Sequence, residues 1–193
     1  MNESQKIMLR FSLMFVIGAV LIYFVMAGSR TPLPGNHPSM DMGISEAQTK
    51  AFTEKLEQLK TQLADDKNNR ETITQIANIY YDLDQYPEAI SYYEQALTIE
   101  PNDPTVLADC GVMYFKAGDS DKALTYIDRA INLQPDLAQA WFNKGLILMA
   151  GKNEPMQAVE TWRHYIELAP ETEQAKFIKQ QIDMVEASIK QND

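Results

Sequence analysis

Side chains able to do chemistry are sparse in this chain. Its 193 residues include two histidines, His37 and His164, and one cysteine, Cys110. Catalysis needs a nucleophile, base or metal held in a supported cluster. No HExxH, GxxxxGK, CxxC or GxSxG pattern occurs. The 27 acidic side chains are dispersed, as on solvated helix surfaces. A lone cysteine excludes an intramolecular disulfide, and in an apolar helical stretch Cys110 reads as a small hydrophobe. The one grouping of soft ligands is His37-Pro38-Ser39-Met40-Asp41-Met42, an imidazole and two thioethers of the kind that suits Cu(I). Methionine is common here, ten in the chain, and this stretch lies among prolines and glycines, so it reads as linker. No catalytic residue, metal ligand or cofactor is assigned. The protein is expected not to be an enzyme.

The formal net charge of −10 argues against nucleic acid as a partner, because phosphate contacts need clustered Lys and Arg. Function must therefore come from what the elements present to another protein. The first element is the run Phe11 to Ala27, 17 residues without a charge between Arg10 and Arg30. As a helix it extends about 25 Å, close to a bilayer core of about 30 Å. It is expected to be a membrane anchor over residues 1–27. A cleaved signal peptide is the competing reading, but the run exceeds the usual apolar core of such peptides, about 7–15 residues. Lys6 and Arg10 before the run and Arg30 after it favour a cytoplasmic N-terminus. That arrangement puts the remainder outside the cytoplasm, on an inner or cytoplasmic membrane with a periplasmic domain. Residues 28–43, with Pro32, Pro34, Pro38, Gly35 and Gly43, read as a flexible linker.

Residues 44–69 hold an amphipathic helix and a loop. Ser45 and Gln48 have the spacing of a capping box, and Phe52, Leu56, Leu59 and Leu63 recur at helical intervals. Beyond them the sequence repeats itself. One interval separates Tyr80 from Tyr114, Ala89 from Ala123, Ala96 from Ala130, and Pro101 from Pro135. The next interval, from Ala123 to Ala158 and from Pro135 to Pro170, is longer by a single residue. The extra residue is expected in a loop at Gly151-Lys152-Asn153-Glu154. A period of about 34 residues is the mark of stacked helix pairs. Ala77, Gly111 and Gly145 permit close approach of a partner helix, and the three prolines stop each second helix. After Pro170, Ala175, Ile178, Ile182, Val185 and Ile189 form one apolar face, as expected of a capping helix over residues 171–193.

The three copies resemble the tetratricopeptide repeat (TPR). The positions that carry the likeness hold Ile73, Ile76, Ala77, Tyr80, Ala89, Tyr93 and Pro101 in the first copy. They hold Leu107, Cys110, Gly111, Tyr114, Ala123, Ile127 and Pro135 in the second, and Trp141, Lys144, Gly145, Leu148, Ala158, Trp162 and Pro170 in the third. Lys144 departs from the pattern, where the family has an apolar residue. The resemblance implies an all-α solenoid of three helix pairs over 70–170 (70–103, 104–137 and 138–171). The anchor, tether and amphipathic helix precede it and the capping helix follows.

The same resemblance implies a groove lined by the first helices. Mapped onto this chain, its candidate partner-binding residues are Asn78, Tyr81, Val112, Phe115, Lys116, Phe142, Asn143, Leu146 and Met149. An apolar stripe of aromatic and Met side chains there suits a helix or an extended peptide. The alternative is that the capping helix or the Ser45–Leu63 helix fills the groove. Family members that clamp a peptide's C-terminal carboxylate use Lys, Asn and Arg. Here Asn78 matches, but Thr74, Asp109, Gln139 and Asn143 stand at the other positions, and an aspartate repels a carboxylate.

A narrower resemblance rests on the anchor, the Asn36-His37-Pro38 tether and the ending from Ala158 through Pro170 to the last helix. These look like the membrane-anchored repeat subunits of bacterial c-type cytochrome maturation, and imply an apocytochrome c segment as partner. A general envelope-assembly scaffold and a structural self-associating protein are the other two readings.

Overall fold

The computed structural model describes residues 45–190. The expected anchor, the linker and its His37, Met40 and Met42 lie outside the described residues. Among the described residues there are eight α-helices: α1 Glu46–Asp65, α2 Arg70–Asp82, α3 Tyr86–Ile99, α4 Pro104–Lys116, α5 Ser120–Leu133, α6 Ala138–Leu146, α7 Pro155–Leu168 and α8 Glu173–Lys190. Among the described residues there is no strand, and no helix is long and apolar enough to cross a membrane.

Local chemistry fixes where the helices start. Ser45 closes its capping box: its hydroxyl oxygen accepts from the Gln48 N–H at 3.3 Å, and its own N–H donates to Gln48 Oε1 at 3.1 Å. Asn69, Asp103 and Asp119 each accept from N–H groups of the turn they precede. Pro104 and Pro155 open α4 and α7, where a missing N–H costs nothing. The second helices end at Ile99, Leu133 and Leu168, each two residues before a proline, as the sequence pattern requires.

The first two pairs turn from first helix to second in the same way. The carbonyls of Tyr80 and Tyr114 accept from the N–H groups of Gln85 and Asp119, five residues on, at 2.8 and 2.9 Å. Asp84 and Gly118, with φ of 56° and 90°, reverse the chain. In the third pair the equivalent bond runs from Glu154 to Leu148, six residues, and Asn153 takes the left-handed position. The extra residue is therefore not in a loop, as the spacing suggested. It is absorbed within the helix as a π-turn, Ile147–Gly151, closed by the Lys152 N–H on the Ile147 carbonyl at 3.0 Å. Gly151 brings this wider turn close to its neighbours: a Cβ there would lie 2.3 Å from Ser120 Oγ.

The helices pack in sequence order, α2 on α3, α4 on α5 and α6 on α7, with α3 and α5 also contacting the pair that follows and α7 contacting α8. The buried anchors of the second helices are Tyr93, Ile127 and Trp162. Against Trp162 stands Gly145, where a Cβ would lie 2.1 Å from the indole Nε1, so only glycine admits the ring. Leu59 on α1 precedes Tyr93 by the interval that separates Tyr93 from Ile127, and it is 1 % exposed. The amphipathic helix is thus a second helix in register. Its small-residue positions, where Ala89 and Ala96 are fully buried, hold the exposed Lys55 and Gln62. α8 closes the other end with Ala175, Ile178, Ile182 and Val185 buried and Lys176, Lys179 and Asp183 exposed. Among the described residues, three complete pairs therefore stand between two single helices.

Polar side chains differ at each junction. Lys60, Glu94 and Asp128 occupy the same repeat position on α1, α3 and α5. Lys60 lies 5.6 Å from the centre of the Tyr80 ring, which stacks on Tyr92. Glu94 accepts from Tyr114 at 2.5 Å and from Tyr126 at 3.0 Å, a second stacked pair. Asp128 pairs with Lys144 at 2.8 Å. The lysine that departs from the repeat pattern thus has its counter-charge on the preceding pair.

Candidate functional site

The first helices α2, α4 and α6 carry the predicted groove residues at repeat-equivalent positions. Asn78, Val112 and Leu146 form one row, and Tyr81, Phe115 and Met149 another, each stepping by one repeat. Asn78 is exposed, and its Oδ1 accepts the Tyr93 hydroxyl at 2.5 Å. Tyr81, Val112, Phe115 and Lys116 are half-buried. The Lys116 ammonium lies 5.9 Å from the Tyr81 ring centre and 5.7 Å from that of Tyr86. Such contacts are attractive by roughly 0.5–1 kcal/mol each at exposed sites. Tyr86 in turn donates to Asp84 Oδ1 at 2.7 Å, and burial, with that carboxylate beside it, pushes its phenol up to about 12.

The third repeat differs. Phe142, Asn143, Leu146 and Met149 are buried, between 1 % and 8 % exposed. The Phe142 ring lies 5.4 Å from Tyr165, and its carbonyl accepts the Trp162 indole N–H at 3.2 Å. Asn143 accepts from Gln139 at 3.1 Å. The predicted stripe is therefore not uniformly exposed. It runs from half-exposed aromatic and cationic groups on the first two pairs to buried apolar groups on the third.

Tyr86, Tyr93 and Tyr165 shape this face without having been predicted for it. Tyr93 is a repeat-pattern position whose ring is buried, while its hydroxyl reaches Asn78. Tyr165 stands where the earlier copies have Ala96 and Ala130, a departure visible in the sequence.

Reactive groups are set apart from this face. Burial, with the Glu94 and Asp109 charges, pushes the Cys110 thiol up to about 12, so the thiolate is scarce at neutral pH. His164 is exposed, 4.7 Å from Trp141 by ring centres and 3.7 Å from Glu167. Among the described residues no His, Cys, Asp and Glu group could hold a metal ion. What the geometry offers is a surface of aromatic rings, a lysine and amide groups.

Two sequence profiles match this stretch, one described as a TPR repeat over residues 77–118 and one as a tetratricopeptide repeat over residues 112–183. Together they span more than half of the chain. The chain belongs to the tetratricopeptide-repeat family. Solved structures share its fold. A crystal structure of MamA is 21 % identical with a TM-score of 0.62, and the match covers 79 % of this chain and 99 % of that one. The Arabidopsis OM64 TPR domain is 16 % identical with a TM-score of 0.56, over 60 % of this chain and 94 % of that one. The first TPR of Spaghetti (RPAP3), bound to the HSP90 peptide SRMEEVD, is 20 % identical with a TM-score of 0.58, over 63 % and 96 %. At these identities the likeness is one of fold. Among curated proteins none matches the chain. TPR folds act as protein-interaction scaffolds, and the geometry of this chain fits that role.

Proposed function

We propose that this TPR protein is a membrane-tethered scaffold that holds a helix or peptide of a partner protein in the groove of its first helices. The observation that carries the proposal is the half-buried stripe of Tyr81, Val112 and Phe115 beside Lys116. Aromatic groups of this kind, backed by a rigid helix stack, are the usual anchors of protein binding. The uncharged run Phe11 to Ala27 supports the tether, which raises the effective concentration of a membrane-bound partner. The flanking charges favour a repeat domain outside the cytoplasm, on the inner membrane. An apocytochrome c segment is the specific occupant we propose, on the strength of the sequence resemblance to cytochrome c maturation subunits.

The test is capture of partners by the full-length, membrane-embedded protein. Phe115→Asp should weaken capture by at least about tenfold with the helical circular-dichroism signal unchanged. Capture that survives the substitution would remove the groove proposal. Recovery of apocytochrome c with the wild type, and its loss with the variant, supports the specific occupant; its absence from both removes that part alone.

A further inference from the structure

The groove does not end with the third repeat. The longer of the two repeat intervals, that from Pro135 to Pro170, also relates the third pair to α8. At that interval Phe142 is followed by Phe177 and Met149 by Met184. Phe177 and Met184 are two helical turns apart, so they lie on one flank of α8, beside the buried Ile178 and Val185. Phe177 is half-buried, and Met184 is 38 % exposed, one of few large apolar side chains so placed. A cap whose only task is to seal the last pair has no need of an apolar flank outside its buried face.

Along this extended face the chemistry changes in one direction. One column reads Thr74, Ala108, Phe142, Phe177 and the other Tyr81, Phe115, Met149, Met184; Ala108, Phe142 and Met149 are buried, and the other five are half-buried or exposed. Polar and aromatic groups stand at the α2 end, and Phe and Met at the α8 end. At the α2 and α4 end the positions next to these columns carry Asp82 and Asp109 against Lys116, an excess of negative charge. Residues 31–193 as a whole carry 14 basic and 26 acidic side chains, a net of −12.

We infer that the groove extends onto α8 and binds its occupant in one direction: a helical segment with an apolar end against Phe177 and Met184 and a basic end over α2 and α4. The charge excess selects Lys and Arg over Asp and Glu at that end. Met and Phe together accommodate varied aliphatic side chains at the other. This deepens the groove proposal and rests on it.

The probe is a synthetic amphipathic peptide of about 20 residues, long enough as a helix to cross a domain of this size. Leu and Met fill one half of it, and Lys and Arg lie on the other. It is compared, on the full-length chain by fluorescence anisotropy, with a version carrying Glu for each Lys and Arg. The basic peptide should bind and the acidic one should bind at least about tenfold more weakly. A photo-crosslinker at the apolar end should label α8, and one at the basic end should label α2 or α4. Met184→Lys and Phe177→Ser should each weaken binding several-fold. Unchanged binding by both variants, a reversed crosslinking pattern, equal binding of the two peptides, or no binding of the basic one would overturn the inference. Loss on Phe115→Asp with no effect of Met184→Lys or Phe177→Ser retains the groove and removes its extension. No effect of Phe115→Asp removes the groove itself.

Discussion

The second and third helix pairs share a backbone plan and differ in how they fill it. In the second pair Gly111 faces Ile127, and the first helix turns at Gly118 with φ of 90°. In the third pair Gly145 faces Trp162, and the turn is widened by a π-turn. Cys110 is wholly buried in the second pair, whereas its counterpart Lys144 reaches out to Asp128. Val112 and Phe115 are half-buried, and Leu146 and Met149 are buried. The comparison shows which features the repeat demands. A small residue must face a large one between the two helices of a pair. The polar contact to the neighbouring pair, the turn length and the groove side chains are free to vary.

Removing the large residue should separate the pairs most. Trp162→Ala is expected to cost about 3–5 kcal/mol, more than Ile127→Ala at about 2–4 kcal/mol, because the indole fills more volume and its N–H satisfies the Phe142 carbonyl. Urea denaturation of both variants measures the difference, and equal losses would mean the two pairs are packed alike. The converse substitution acts from the other helix. Gly145→Ala places a methyl group 2.1 Å from the indole nitrogen and should destabilise by about 1–3 kcal/mol. Trp162 should move at the same time, which its fluorescence reports; an unchanged spectrum and stability would show that the ring has room.

Periodicity made the pairs legible in the sequence because the residues it relies on answer to backbone spacing. Ala89, Ala123 and Ala158 are wholly buried, and no larger side chain would let the helices meet. The capping box at Ser45 and the prolines were legible for the same reason, since each acts on the backbone next to it. α1 read only as an amphipathic helix because its small positions hold Lys55 and Gln62. The matching signal was Leu59, one repeat interval before Tyr93. The π-turn was hidden because one extra residue looks the same in sequence whether a loop or a helix takes it. Burial of Phe142 and Met149 was also out of reach. It depends on neighbours such as Tyr165, which the period brings close but does not specify.

Charge contacts between pairs come next in size. Glu94→Ala strands the hydroxyl of the buried Tyr114 and should cost about 1–3 kcal/mol. Burial, then the hydrogen bond to Glu94, raises the Tyr114 phenol above its ordinary value. Burial likewise raises Tyr126, with the neighbouring Cys110 and Glu94 adding to the shift. The fold thus favours the neutral tyrosines. Their contribution is complete below the unfolded phenol value of about 10 and is lost as pH climbs toward the higher folded values. Near-ultraviolet titration should show Tyr114 and Tyr126 ionising late in the wild type, along with Tyr86, and an earlier rise for the first two in the variant. Superimposable curves would separate Glu94 from the effect.

The smallest change is expected where the third pair departs from the family pattern. Lys144→Leu loses the ion pair with Asp128 but restores an apolar contact, and stability should stay within about 1 kcal/mol of the wild type. A loss of several kcal/mol would make that ion pair, rather than the helix packing, the chief link between the second and third pairs.

The single helices at the two ends bear on how the molecule comes apart. Among the described residues, only the α4–α5 pair has a complete pair on either side, while the outer pairs each have one neighbour that is a lone helix. In a one-dimensional array, opening begins where the fewest neighbours must be abandoned. Amide protons should therefore exchange last around Gly111 and Ile127 and first in α1 and α8. The half of the groove floored by Val112 and Phe115 stands on the slowest-opening part of the molecule. The α8 flank, at the frayed end, can yield its contacts and regain them many times before the centre opens once.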